Sequence, residues 1–515
     1  MRTAAAESAI AAGDSEVWLL TLTLRDGRAL RFATRTIDVP TRSVDGGPFA
    51  YAGLIAEIDE YIEEIDLFAL EGASLLAQAR LTIITFDDLA GLVADWQYLS
   101  GATAELALIW RGEQWHRRLV ILRGLIQAAQ WGRAGEASQL TLESAPARAS
   151  AAVGDSSRDV GADFAGAVDT DGADMTSLDG VQYPTILGAP RSAACLKVGD
   201  VGGSNRLVLC GHPLPGFGNI DVREDGAGAV SYAVGWTTAN GGYSYVQSAT
   251  EFKASNGAYS ADFALGGIGR ADAVDLPTTS AADMARYLLD ASGLDVDWPR
   301  SRACLQRLGA YQCGLALDEA APALDILREQ LLPWLPVLEL ATADGVWLVY
   351  ADPFLLDSTA ELVLGQNVLG RLSTMALSDV DAISNAASVA YFYEESTGEY
   401  ASTAILDSSN DGACLVSEQV HGARPAELAE CACTWSEATA MRFATLRARK
   451  AAFQRRSFEY LLSPDLYWLR AGMGVKLTDA DYGIDGERAY VRAMRRGAVL
   501  SAVIELIGGS PAGHT

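Results

Sequence analysis

Residues 55–67 read IAEIDEYIEEIDL, and the fold class turns on how that stretch is read. Ile55, Ile58, Ile62 and Ile65 stand at helical spacing, as on the apolar stripe of an amphipathic helix. The same residues also suit a strand with an acidic face. The flanks favour the strand. Upstream, VWLLTLTLRDGRALRFAT (17–34) alternates Leu20, Leu22 and Leu24, turns at Asp26-Gly27, and alternates Leu30 and Phe32 on the return. An Asp-Gly between two alternating runs is a strong hairpin signal. Downstream come LLAQARLTIITF (75–86), AELALIW (104–110) and, after a turn at Arg111-Gly112-Glu113, LVILRGLI (119–126) and SQLTLES (138–144). Strands at such short spacing predict a β-barrel-like or sandwich domain over residues 1–147.

Beyond it the composition changes. Residues 148–190 are rich in Ala, Gly, Asp and Ser and read as a linker. Asp169, Asp171 and Asp174 lie there, but a calcium loop needs further spaced ligands and a bidentate Glu, which are missing. Residues 191–275 are apolar runs broken by glycines (RLVLCG, AVSYAVGWTT, GYSYVQSATEF, YSADFALGGIG), which predicts an all-β domain.

Residues 276–358 read as a small α+β domain. Thr278, Thr279 and Ser280 offer a helix cap, Asp283 follows three residues after Ser280, and Met284, Tyr287, Leu288 and Ala291 share a face up to Gly293. A second helix is expected over 321–331, with Leu324, Leu327 and Leu331 on one side and Pro333 and Pro336 beyond it. VLELATADGVWLVY (337–350) is a hairpin about Asp344-Gly345.

Residues 359–515 return to β: a hairpin over 387–403 turning near Thr397-Gly398, an Ala-rich helix from Ser436 to Phe453, then RRSFEYLL, GMGVKLTD, AYVRAM and AVLSAVIELI. The expected fold class is therefore mainly β with an α+β module. Two β-barrel-like domains flank an all-β insertion and a small α+β domain. LVILRGLIQAAQWGRAGEASQLTLES (119–144) and AYVRAMRRGAVLSAVIELIG (489–508) share an outgoing strand, a turn and an alternating return strand, a modest sign of duplication.

Composition bounds the function. The 515 residues suffice for three to five domains, and half are hydrophobic. The formal charge of −27 argues against a surface that embraces nucleic acid. It suits a self-repelling assembly subunit, or a wall along which DNA slides. Seven scattered cysteines imply free thiols rather than a disulfide scaffold. The N-terminus carries Glu7 and Asp14 where a signal peptide needs an unbroken apolar core. The longest uncharged stretch, near 226–250, is too rich in Gly, Ser, Thr and Asn to insert stably in a membrane.

Catalysis needs convergent acids, bases or nucleophiles. His116, His212, His421 and His514 are isolated, and no zinc-peptidase, nucleophile-elbow or phosphate-loop motif occurs. No catalytic, cofactor-binding or metal-binding residue is assigned. Cys431-Ala-Cys433 with Cys414 would supply three thiolates of an iron–sulfur set, with a fourth from a distant cysteine; the favoured reading is small semi-buried residues near a strand or helix start, and no metal is assigned. Tyr232, Trp236, Tyr243 and Tyr245 fit either a carbohydrate platform or sheet packing and an interface.

Three stretches carry a resemblance. DMARYLLDASGLDVD (283–297), PALDILREQLL and the 337–350 hairpin stand in the middle. ISNAASVAYFYEESTGEY (383–400) follows. SEATAMRFATLRARKAAF (436–453) then leads through SFEYLL to LRAGMGVKLTDADYG (469–483). In this order they resemble the tail-tip, or baseplate, hub proteins of long-tailed bacteriophages and gene-transfer particles. The resemblance implies a homotrimeric structural ring with no enzymatic activity. Two barrels per subunit would adapt a six-fold tail tube to a three-fold tip around the DNA exit channel. Implied partners are distal tail or tube ring proteins, a tape-measure protein, and fibre or spike proteins; the implied location is the virion tail tip, assembled in the bacterial cytoplasm. Rival readings are a receptor- or carbohydrate-binding tip protein and a cell-wall hydrolase fused to β modules.

Overall fold

The computed structural model describes residues 16–24, 26–42, 48–70, 73–85, 102–110, 113–130, 133, 135–143, 151–153, 157, 160–164, 181–188, 193–200, 205–211, 219–224, 230–237, 243–248, 259–262, 280–342, 345–394, 398–497 and 499–507. The chain is mainly β with short helices and several sheets.

The N-terminal strands are β1 (Val17–Thr23), β2 (Ala29–Ala33), β3 (Ile37–Val39), β4 (Phe49–Tyr51), β5 (Ile55–Ile65), β6 (Ala73–Ile84), β7 (Thr103–Ile109), β8 (Leu119–Gln130) and β9 (Ala137–Glu143). Their hydrogen-bonded order is β2-β1-β7-β8-β9-β6-β5. A bridge from Phe32 to Ala52, just before β5, brings the two ends of that order together as a barrel. Inward-facing Leu20, Leu22, Leu81, Leu106, Leu140 and Leu142 fill it. The ambiguous stretch is strand β5. Its buried residues are Ile55, Ile58, Tyr61, Glu63 and Ile65. The pairing with β6 slips between Ile55 and Glu57 and again between Ile58 and Glu60. Each β-bulge inserts one extra residue, so a period of two is locally stretched to three and imitates a helix.

In the middle, β10 (Ala152–Val153) and β11 (Thr185–Gly188) precede a seven-stranded sheet. It is made of β12 (Ala193–Asp200), β13 (Asn205–Cys210), β14 (Asn219–Glu224), β15 (Val230–Ala233), β16 (Gly235–Thr237), β17 (Tyr243–Ser248) and β18 (Tyr259–Asp262). Leu207 and Leu209 point into one core and Val208 into another, so β13 is covered on both faces.

The α+β part opens with α1 (Ala281–Ala291), capped by Ser280, whose side chain accepts from the Asp283 amide. Helix α2 (Trp298–Leu308), capped by Asp297 and carrying Pro299 in its first turn, was not foreseen. Its arginine-rich sequence hides the buried stripe of Ser301, Cys304 and Leu308. Strands β19 (Gly314–Leu317) and β20 (Ala321–Pro322) follow. The helix expected over 321–331 is instead one α turn, α3 (Ala323–Ile326), widening into a π turn at Leu327–Leu331. Leu324, Leu327 and Leu331 are nevertheless all buried. The hairpin of β21 (Val337–Thr342) and β22 (Gly345–Tyr350) attaches to the first barrel, because Leu338 and Glu339 pair in parallel with Ala73 and Ser74 of β6.

The remaining elements are β23 (Ser358–Val363), β24 (Val368–Arg371), β25 (Ala376–Leu377), β26 (Ala387–Glu394), β27 (Glu399–Leu406), α4 (Gly412–His421), β28 (Ala429–Cys431), α5 (Glu437–Ala451), β29 (Arg456–Leu462), β30 (Gly474–Asp479), β31 (Ile484–Arg496) and β32 (Leu500–Leu506). The order β23-β30-β31-β32-β29-β24 forms the second barrel-like sheet, and β23 and β24 meet at Leu364 and Val368. Tyr460, Val475, Leu477, Val491 and Ile504 are buried within it. Helix α5 packs elsewhere: Phe443 stacks on Tyr311 with centroids 5.7 Å apart, in the same core as α1 and α3.

The two barrels share one strand plan. Taking six strands of each in chain order, both sheets run first, fourth, fifth, sixth, third, second: β1-β7-β8-β9-β6-β5 against β23-β30-β31-β32-β29-β24. One difference is that β1 runs antiparallel to β7 whereas β23 runs parallel to β30. The hairpins singled out at 119–144 and 489–508 occupy the same place in the two barrels.

Candidate functional site

The second strand of the first barrel pairs with the fifth strand of the other. On β31, Ala493, Met494, Arg495 and Arg496 face Glu64, Glu63, Ile62 and Tyr61 of β5, which merges the barrels into a sixteen-stranded sheet. Buried Glu63 and Arg496 both lie on this seam. Arg470 donates from Nε to Glu63 at 2.8 Å and 3.0 Å, and from its terminal nitrogens to the carbonyls of Val120 and Ile121 at 2.9 Å each. The Tyr61 hydroxyl donates to the Ile121 carbonyl at 3.1 Å.

Burial opposes the Arg470 charge, but Glu63 and Tyr61 outweigh it, so the guanidinium is held charged above its usual range. Burial raises the Tyr61 phenol. Arg496, buried over the Tyr61 ring, is pushed down to about 10 by burial, against the pull of Tyr61 and with the push of Arg470. It donates to the carbonyls of Tyr467 and Leu469 at 2.8 Å and 2.5 Å. Further along, Arg455 bridges Asp66 at 2.8 Å and Glu505 at 3.2 Å, and Lys450 donates to the Ala69 carbonyl at 3.0 Å.

Beside the seam lies a cavity of about 820 Å³, lined by Val120, Leu122, Leu338, Trp347 and Tyr350 with Arg470 at its edge. Its charges are already paired: Arg470 with Glu63, and Glu339 with Arg328 at 2.6 Å. Among the described residues, the cavity presents a largely apolar wall with no convergent set of acid, base and nucleophile.

All seven cysteines are free and buried. The Cys431 and Cys433 sulfurs stand 3.4 Å apart. The third thiol at Cys433 is Cys313, not Cys414. Hydrogen bonds from Cys313 and then Cys431 lower the Cys433 thiol, while Cys313 and Cys431 are raised. Among the described residues no group of three or more His, Cys, Asp and Glu side chains is arranged to hold a metal ion. His116 is exposed within the 3₁₀ turn Trp115–Arg117, and His421 ends α4. His212, His514, Asp169, Asp171 and Asp174 lie outside the described residues.

Two of the middle-sheet aromatics, Tyr243 and Tyr245, make packing contacts. Tyr243 is buried against Phe164 and Tyr183, and Arg206 lies over the Tyr245 ring at 4.3 Å. Among the described residues no helix is long and apolar enough to cross a membrane.

No protein-family model matches the sequence, and no curated protein matches it. Solved structures do match. This chain is similar to two tail proteins and to a chain of a virion particle. A tail protein from Neisseria meningitidis MC58 aligns over 95% of this chain and 96% of that chain, at 9% identity and a TM-score of 0.37. The 43 kDa tail protein of prophage MuSo2 from Shewanella oneidensis aligns over 95% and 98%, at 10% identity and 0.38. A chain of a native gene transfer agent virion aligns over 50% and 83%, at 15% identity and 0.20.

Proposed function

We propose that this chain is the structural hub of a bacteriophage-type tail tip, without enzymatic activity. One observation carries the reading: the chain holds two barrels of the same strand plan, side by side and fused through β5 and β31. Three such subunits in a ring present six similar barrels, which adapts a six-fold tube to a three-fold tip. The net charge of −27 suits a channel wall that releases DNA rather than binding it. In this reading the partners are tube-side ring and tape-measure proteins above and fibre or spike proteins below. Assembly takes place in the bacterial cytoplasm, and the final position is the virion tail tip.

We also propose the division into 1–147, 191–275, 276–358 and 359–515, with 148–190 as linker. In it, α5 of the last unit docks on the core of the unit before. Native mass measurement and imaging of the particle with this subunit labelled test the reading. A trimer located at the tail tip is expected; a stable monomer at high concentration, or a label anywhere else on the particle, overturns it.

A further inference from the structure

We infer that the contact between neighbouring copies in the ring repeats the chain's own internal seam: residues 376–378 of one copy pair with residues 128–130 of the next. This rests on the ring reading above and adds to it the strands and the register.

The correspondence of the barrels holds residue by residue. In the first, Gln78 pairs with Glu143 and Leu81 with Leu140; in the second, Ser457 pairs with Glu505 and Tyr460 with Ala502, at the same spacing on both strands. The irregularities coincide as well. Strand β8 is bulged between Ile126 and Ala128 against β9, and β31 between Val491 and Ala493 against β32. Strand β5 is bulged between Ile55 and Glu57, and β24 between Val368 and Gly370. Bulges are placed individually along a strand, so their agreement in the second and fifth strands fixes the alignment. Strands β24 and β25 together, both paired to β29, then correspond to β5 on β6.

Within one chain, the second strand of the first barrel meets the fifth strand of the second through Glu63 with Met494, Glu64 with Ala493, and Ile62 with Arg495. Carried across the alignment, the reciprocal contact joins Leu377 with Ala129, Ser378 with Ala128, and Ala376 with Gln130. Both edges suit the contact. Strand β7 pairs with β8 along Leu119–Leu125, and among the described residues no strand continues along that edge over 126–130. The corresponding stretch of β31 is where β5 binds. The opposite edge exposes apolar side chains: Leu369, Leu372, Leu377 and Val380 are 56%, 51%, 53% and 40% exposed. A ribbon with that much exposed apolar surface is a site awaiting a partner. Donor and acceptor edges lie on different barrels, so the contact is head to tail and closes into a ring when the rotation allows.

The test uses the full chain carrying Ala129→Cys in one preparation and Leu377→Cys in another. The two are mixed and oxidised with diamide, which takes up the two thiol hydrogens as the disulfide forms. A disulfide-linked dimer in the mixture, absent from either preparation alone, is expected; both cysteines in one chain should give linked species ending at the trimer. Leu377→Glu, at an exposed position, should remain folded and shift the assembly to monomer. A ring that forms without this crosslink overturns the proposed seam and leaves the hub reading standing. A chain that forms no ring overturns both.

Discussion

Arg470 reaches from the loop before β30 to Glu63 at 2.8 Å, and the same guanidinium closes on the carbonyls of Val120 and Ile121. One side chain of the second barrel therefore satisfies a buried acid and two backbone acceptors of the first. Removing one member of such a pair strands the other charge. Arg470→Met or Glu63→Gln should each lower stability by about 3 kcal/mol. The double variant should lose clearly less than the sum, because no lone charge is left. Guanidinium unfolding of the four proteins completes the cycle.

Lys450 is buried against Ala69 in the N-terminal segment, and burial pulls its ammonium down to about 8 against the pull of Asp352 and Asp66. Below about 8 the lysine is charged in both states and the full cost of burying it is present. Between about 8 and the unfolded value near 10.4, the unfolded chain binds more protons, so this group makes stability rise with pH. Lysines occur at four positions, 197, 253, 450 and 476. Reductive methylation with labelled formaldehyde should therefore show one dimethyl-lysine signal titrating near 8, lost in Lys450→Met.

Much of the fold was legible because alternation is local. Leu20, Leu22 and Leu24, or Leu140 and Leu142, announce their strands without help. The shared plan of the barrels was barely legible: Leu81 stands where Tyr460 stands, and Ala129 where Met494 stands, because either pair fills its site. The seam was hidden for another reason. Glu63 and Arg470 lie 407 positions apart, and nothing near either residue marks it as buried. Helix α2 went unread because arginines interrupt its stripe, and the helix expected over 321–331 is present but widens into a π turn.

Gly474 opens β30 where it pairs in parallel with β23. A Cβ there would lie 2.5 Å from the Asp357 carbonyl oxygen and 3.1 Å from Leu356 Cβ. The first contact is with backbone and cannot be relieved by a rotamer change. Gly474→Ala should cost about 1–3 kcal/mol by parting β23 from β30. Thermal unfolding should show it, and amide exchange in residues 358–363 should quicken more than in β9.

The bulges of β5 allow a sharper test, because they distinguish two deletions of equal size. Ile55 pairs with Ile83 and Glu57 with Thr82, so Ala56 is the unpaired residue of its bulge. Deleting Ala56 restores a simple ladder and leaves Ile55 and Ile58 facing inward. Deleting Ile62, in the regular half, moves every residue on one side of it by one place and turns its inward set outward. That half also carries the pairing with Met494 and Arg495. Deletion of Ala56 should yield soluble protein with a modestly lowered unfolding temperature, and deletion of Ile62 should abolish soluble expression. Equal damage from the two would mean that the three-residue spacing of Ile55, Ile58 and Tyr61 does not arise from bulges.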